Sequence, residues 1–140
     1  MKSKKKEIYN LFVKGVPIAQ SRPRLGKYGN FYSNSPSVKA WKEEIMASFA
    51  GIRRPMITEA VHLKVYFYMP VPKGMKIDTK KDCYVPHIKT PDTDNLLKAV
   101  MDAITKVGVW KDDALVFWSE QIKWYAAEET GARIIIETGF

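Results

Sequence analysis

Apolar positions along this chain recur with a period of two in some stretches and of three to four in others, and the changes of period mark out its elements. Ile8 to Lys14 is short, apolar and rich in β-formers, and Gly15-Val16-Pro17 stops it, which predicts a first strand. Ser35-Pro36-Ser37 offers a helix cap with proline early in the first turn. Val38, Trp41, Ile45 and Phe49 then form one helical face, and Gly51 closes it. From Ala60 to Met69 the period is two. Val61, Leu63, Val65, Phe67 and Met69 point one way, and His62, Lys64, Tyr66 and Tyr68 the other. Thr93 to Lys106 returns to a helical period through Leu97, Val100, Met101 and Ile104, and Gly108 ends it. Residues 114–125 and 132–138 read as strands, with Glu128-Glu129-Thr130-Gly131 as the turn of a hairpin. The order β-α-β-α-β-β predicts an α+β fold, a single small domain with a mixed sheet and two helices, rather than a doubly wound sheet.

Two connections exceed the usual loop length. Residues 16–36 carry Arg22, Arg24 and Lys27 among Tyr28, Phe31 and Tyr32. Residues 70–90 carry Lys73, Lys76, Lys80, Lys81, His87 and Lys89. Long basic loops on a compact domain are commonly functional. The first six residues read as a flexible basic tail.

At 140 residues, 46% of them hydrophobic, the chain can bury a core. Its formal charge of +8 suits a phosphate-bearing partner, and the distribution sharpens this. Residues 1–91 hold 18 Lys/Arg against 6 Asp/Glu, a balance of +12; residues 92–140 hold 5 against 9, a balance of −4. Cations that hold a polyanion beside carboxylates that hold a metal are what a metal-dependent nuclease needs. Cys83 is the only cysteine, which rules out an intramolecular disulfide and fits a reducing cytoplasm. No apolar run is long enough to span a membrane.

The acids cluster. Pro91-Asp92-Thr93-Asp94-Asn95 leads into the second helix, Asp102 lies further along it, and Asp112-Asp113 precedes a strand. Either Asp92 or Asp94 could cap the helix, since free N–H groups and the macrodipole favour an acid there. A cap needs only one residue, however, and two carboxylates stand at i and i+2. Asp94, Lys98 and Asp102, each four residues apart, share one helical face. If the Asp112-Asp113 strand lies beside the helix start, hard oxygen ligands crowd together, and Mg²⁺ or Mn²⁺ is the natural cation to relieve their repulsion. EF-hand spacing is absent, with Leu97 where its glycine would stand. His62 and His87 are isolated, so no zinc pattern exists, and there is no G-x-S-x-G nucleophile motif.

The stretch PDTDNLLKAVMDAITKVGVWKDDALV resembles the core signature of the RusA family of endodeoxyribonucleases: D-x-D-N-x-x-K, an acidic helix position, then glycine and an Asp-Asp pair before a strand. Pro17 to Arg24 (PIAQSRPR) resembles that family's N-terminal basic loop, and His87 to Pro91 its approach to the acidic motif. The resemblance implies that residues 1–140 form one RusA-like nuclease domain that resolves Holliday junctions in DNA recombination and repair. It implies paired symmetric nicks with Mg²⁺ or Mn²⁺, and a homodimer bound to four-way junctions. Small resolvases of this kind often look phage-derived. Asp92, Asp94 and Asp113 would be the catalytic metal ligands and Lys98 the catalytic lysine, with Asp112 and Asp102 in supporting roles. Arg22, Arg24, Lys73, Lys76 and Lys89 are candidate DNA contacts. Tyr28, Phe31 and Tyr32 would stack on bases or pack their loop. Trp41, Trp118 and Trp124 are assigned to the core or the dimer interface. Leu115, where relatives often carry a polar residue, and the long 70–90 loop depart from the pattern. Alternatives are a metal-dependent nuclease for flaps or forks, and a non-enzymatic DNA-binding protein.

Overall fold

A computed structural model of the chain describes residues 4–20, 24–25, 31–32, 35–78 and 84–140. Its elements are β1 (Lys6–Lys14), β2 (Arg24–Leu25), β3 (Phe31–Tyr32), α1 (Pro36–Ala50), β4 (Val61–Met69), α2 (Thr93–Lys106), a single 3-10 turn (Asp113–Leu115), β5 (Val116–Tyr125) and β6 (Gly131–Thr138). Apart from the minimal β2–β3 ribbon inside the first long connection, the expected order β-α-β-α-β-β and the α+β class hold. α1 starts as its sequence predicts, with the Ser35 hydroxyl accepting from the Val38 N–H and Pro36 in the first turn. β1 begins two residues earlier than expected. Lys6 already pairs with Thr138, and Lys5 reaches Glu137, so the basic tail is tied down from Lys5 onward.

The terminal hairpin does not form. β6 lies between β1 and β4, antiparallel to both, and β5 pairs parallel with β4 at the sheet edge, giving the order β1-β6-β4-β5. The reason is apolar content. β6 offers Ala132, Ile134 and Ile136, all fully buried, and belongs in the middle of a sheet; β5 exposes half of its residues, buries only Tyr125 and suits an edge. β5 also starts two residues later than the strand signal, because residues 113–115 are spent on the 3-10 turn.

Both helices cover one face. Trp41, Ile45 and Phe49 of α1 and Leu96, Leu97, Val100 and Ile104 of α2 join Val61, Leu63, Val65 and Phe67 of β4 and the β6 isoleucines in one core. Trp110 is fully buried too. Its indole N–H donates to the Thr105 hydroxyl at 2.7 Å, locking the turn after α2. Trp41 is a core residue, whereas Trp118 is 44% exposed and does not belong to the core. No helix among the described residues is long and apolar enough to cross a membrane.

The opposite face carries a buried polar knot. His62, 1% exposed, stacks on Trp118 with ring centroids 3.6 Å apart. Its Nε2 lies 3.1 Å from Glu120 Oε2 and its Nδ1 3.2 Å from Glu137 Oε1. Glu137 also pairs with Lys64 at 2.9 Å and Lys5 at 3.0 Å. Burial pushes the Glu137 carboxyl upward, but the hydrogen bonds and charges of Lys64 and Lys5 outweigh it and hold the group below the ordinary glutamate range.

Two stability outcomes follow from this packing. A Cβ on Gly131 would fall 2.3 Å from the Val13 carbonyl oxygen and 2.6 Å from the Phe12 ring, at a φ of +156°. Gly131→Ala should therefore cost about 2 kcal/mol or more in urea unfolding; an unchanged midpoint would mean that β1 and β6 are not packed this closely. The lowered Glu137 pKa stabilises the fold above the ordinary glutamate value, and that contribution disappears as pH falls through the lowered one. Glu137→Gln should flatten the fall in melting temperature between about pH 6 and about pH 3. A wild-type-like acid limb in the variant would remove Glu137 from the account.

Candidate active site

α2 carries most of the candidate chemistry along its exposed side. Asp92 is its N-cap residue. The Asp92 backbone carbonyl accepts from the Leu96 N–H at 3.1 Å, but its exposed carboxylate makes no capping hydrogen bond. The acid that the sequence allowed to be a cap is therefore not spent as one. Asp94, in the first turn, accepts from the Asn95 N–H at 2.9 Å and sits where the helix dipole favours an acid. Lys98 is exposed one turn further on.

The start of α2 is held from two sides. Lys123 of β5 donates to the carbonyls of Lys89 at 2.6 Å and Pro91 at 2.7 Å. The Gln20 N–H donates to the Asn95 carbonyl at 3.1 Å, which ties the first part of the long 16–36 connection to the acidic turn. Gln20 is 7% exposed, and its Oε1 has no hydrogen-bond partner among the described residues. Residues 85–87 run along the outer edge of β5, with the Tyr125 N–H donating to the Val85 carbonyl and the His87 N–H to the Lys123 carbonyl. Burial, followed by the charges of Lys123 and Lys89, lowers the His87 pKa.

The second acidic group sits on the 3-10 turn, which packs against α2. Asp112 caps the turn, its Oδ1 accepting from the Ala114 N–H at 2.8 Å. That bond, then the Asp113 side chain, lowers the Asp112 pKa. Asp113 moves the other way. Burial, the hydrogen bond and charge of Asp112, and the charge of Asp102 raise it, and only Lys98 opposes them. The Asp-Asp pair is thereby divided: one acid closes a turn, and the other carries an unfavourable charge beside Lys98 and Asp102. Asp102 is itself paired with Lys42 of α1 at 2.5 Å and with Lys106 at 3.3 Å.

The structure thus gathers Lys98, Asp102, Asp112 and Asp113 along one flank of α2 and leaves Asp92 and Asp94 at its start. α2 rises about 1.5 Å per residue, so these groups spread along its axis. Among the described residues, no three His, Cys, Asp or Glu side chains stand close enough to hold a metal ion. The donor set nonetheless fits a hard divalent cation: carboxylate oxygens only, one without a cap bond and one whose charge its neighbours disfavour.

Of the candidate DNA contacts, Lys73, Lys76 and Lys89 are exposed. Arg22 and Tyr28 lie outside the described residues, as do Lys80, Lys81 and Cys83. Arg24, Phe31 and Tyr32 are described by their backbone alone, in β2 and β3. The sequence did not point to Lys42, Lys123 or Gln20. Lys42 left one signal, a charge beside Trp41 on the apolar face of α1. A lysine on an edge strand and a glutamine in a loop left none.

The family model described as endodeoxyribonuclease RusA matches residues 14–137. The YqaN protein of Bacillus subtilis (strain 168) is 33% identical over 125 residues, covering 83% of this chain and 87% of that protein. The crossover junction endodeoxyribonuclease RusA of Escherichia coli (strain K12) is 45% identical over 43 residues, 31% of this chain and 36% of that enzyme. The enzyme of the same name from Enterobacteria phage 82 matches to the same extent. With the family model spanning almost the whole fold, the chain belongs to the RusA family of endodeoxyribonucleases.

Proposed function

We propose that this protein is a crossover junction endodeoxyribonuclease that uses Mg²⁺, with Mn²⁺ as a substitute, to resolve four-way DNA junctions by paired symmetric nicks. The observation that carries the reading is the division of labour among its acids. Asp112 is spent on a turn and Asp102 on two lysines, while Asp92 makes no cap bond and Asp113 bears a charge its surroundings disfavour. Membership of a DNA-cutting family makes a scissile phosphate the fitting target. The chain acts as one nuclease domain and as a homodimer, because two symmetric nicks call for two sites related by a twofold axis.

Asp92, Asp94 and Asp113 would hold the cation. The bound ion supplies positive charge that offsets that of the scissile phosphate and makes water a competent nucleophile near neutral pH. Lys98, exposed between the two acidic groups, steadies a phosphate oxygen or the leaving 3′ oxygen as negative charge builds there. Lys123 and the Gln20 backbone keep the first turn of α2 from shifting under load. Arg22, Arg24, Lys73, Lys76 and Lys89 grip phosphates away from the cut and contribute affinity rather than chemistry. The products would carry a 5′ phosphate and a 3′ hydroxyl.

Purified protein with Mg²⁺ on a four-way junction, a flap and a linear duplex tests the reading. Symmetric junction nicks are expected. Preferential flap cutting would reassign the substrate, and tight binding without metal-dependent cleavage would reduce the protein to a DNA binder. Asp94→Asn and Asp113→Asn should keep junction affinity and lose cleavage by about 10³-fold, the scale of removing a group that stabilises transition-state charge. Wild-type cutting by either variant would sink the assignment. Asp112→Asn, which alters a turn cap, should lose much less.

A further inference from the structure

Lys42 is 4% exposed, among the most buried charged residues described, and it lies on the face of α1 that packs against α2. Its ammonium meets Asp102 at 2.5 Å, and Lys106 completes the pairing at 3.3 Å from the same oxygen. As a clamp between helices this is a poor choice. Burying an ammonium carries a large desolvation cost, and an apolar pair of similar volume often holds helices as well or better. The arrangement makes sense if the charge itself matters. Asp102 belongs to α2, which packs against the 3-10 turn that presents Asp113, and its negative charge acts on the Asp113 carboxylate. Without its lysines, Asp102 would add a full negative charge to a flank that already holds Asp112 and Asp113.

We infer that Lys42 is a positioning residue for the metal site: it pins Asp102 against α1 as a neutralised partner, so that Asp102 neither joins the cation's ligands nor adds its charge to them. This deepens the proposed metal-dependent reading and rests on it. The sign of its effect is unusual. Removing Lys42 leaves Asp102 with Lys106 alone, makes the flank more negative by one charge and should tighten divalent-ion binding, whereas the loss of a merely structural contact would leave that binding unchanged or loosen it.

The experiment is a Mn²⁺ titration of the full chain without DNA, read from the free-ion electron paramagnetic resonance signal, with folding checked by circular dichroism. Lys42→Met should lower the half-saturating Mn²⁺ concentration by about three- to tenfold, the effect of one unit charge several ångströms away in a partly solvated site. Lys42→Arg should keep the wild-type value, and Lys42→Met combined with Asp102→Asn should return close to it. On junction DNA, Lys42→Met should lower kcat with little change in KM. A folded Lys42→Met protein whose Mn²⁺ affinity is unchanged or weaker would overturn the inference. Should that variant fail to fold, Lys106→Met decides: it removes the exposed lysine on the same Asp102 oxygen and should tighten Mn²⁺ binding by about threefold, and unchanged or weaker affinity overturns the inference equally. Asp113→Asn separates the two levels. If it leaves Mn²⁺ binding intact, or if the wild type binds none, the metal reading falls and takes this inference with it. If Asp113→Asn weakens binding but Lys42→Met does not tighten it, the role of Lys42 alone falls.

Discussion

The parallel pairing of β4 with β5 is the constraint from which the site follows. Two parallel neighbours cannot be joined by a tight turn; the chain must leave the end of one and travel back along the sheet to the start of the other. Here α2 makes that return across the helical layer. Its first turn, with Asp92 and Asp94, therefore sits near the C-terminal end of β5, where Lys123 anchors it. Its last turn delivers the chain, through the buried Trp110, to the 3-10 turn at the foot of β5. The crossover places Asp92 and Asp94 at the start of α2 and brings Asp112 and Asp113 back against the helix.

The core that permits the crossover is unevenly distributed. β4 and β6 are apolar enough to be covered and take the two central places. β1 and β5 take the edges, and the two helices cover the middle on one side. That leaves the exposed side of α2 uncovered and rich in charge. The flank is electrostatically sorted as well. Lys42 and Lys106 pair with Asp102, backbone N–H groups bond Asp94 and Asp112, Asp92 makes no cap bond, and Lys98 is the cation that acts on Asp113.

Much of the fold was legible in the chain because local periods dictate it. The cap at Ser35, the face through Trp41 and Phe49, and the alternation of β4 all report which side of an element is covered. Strand order was not legible. The turn at residues 128–131 looks like a hairpin turn, yet whether two successive strands pair depends on which neighbours each can bury, and the isoleucines of β6 find better ones in β1 and β4. The same limit applied to the site. Asp92, Asp94, Lys98 and the Asp-Asp pair stood out by spacing, but spacing could not tell which acid of the pair would cap a turn. Lys42, 60 residues from Asp102, was invisible as its partner because only the packing of α1 on α2 brings the two together.

The proposal that matters most is that acids of α2 and the 3-10 turn bind a divalent cation when branched DNA is present. Crystals of the protein grown with Mn²⁺ and a four-way junction, with diffraction recorded for the anomalous signal of manganese, test it most directly. The expected result is an anomalous peak bounded by the carboxylates of Asp92, Asp94 and Asp113, with Asp102 still held by Lys42. A peak elsewhere on the molecule, or Asp102 among the ligands, would contradict it.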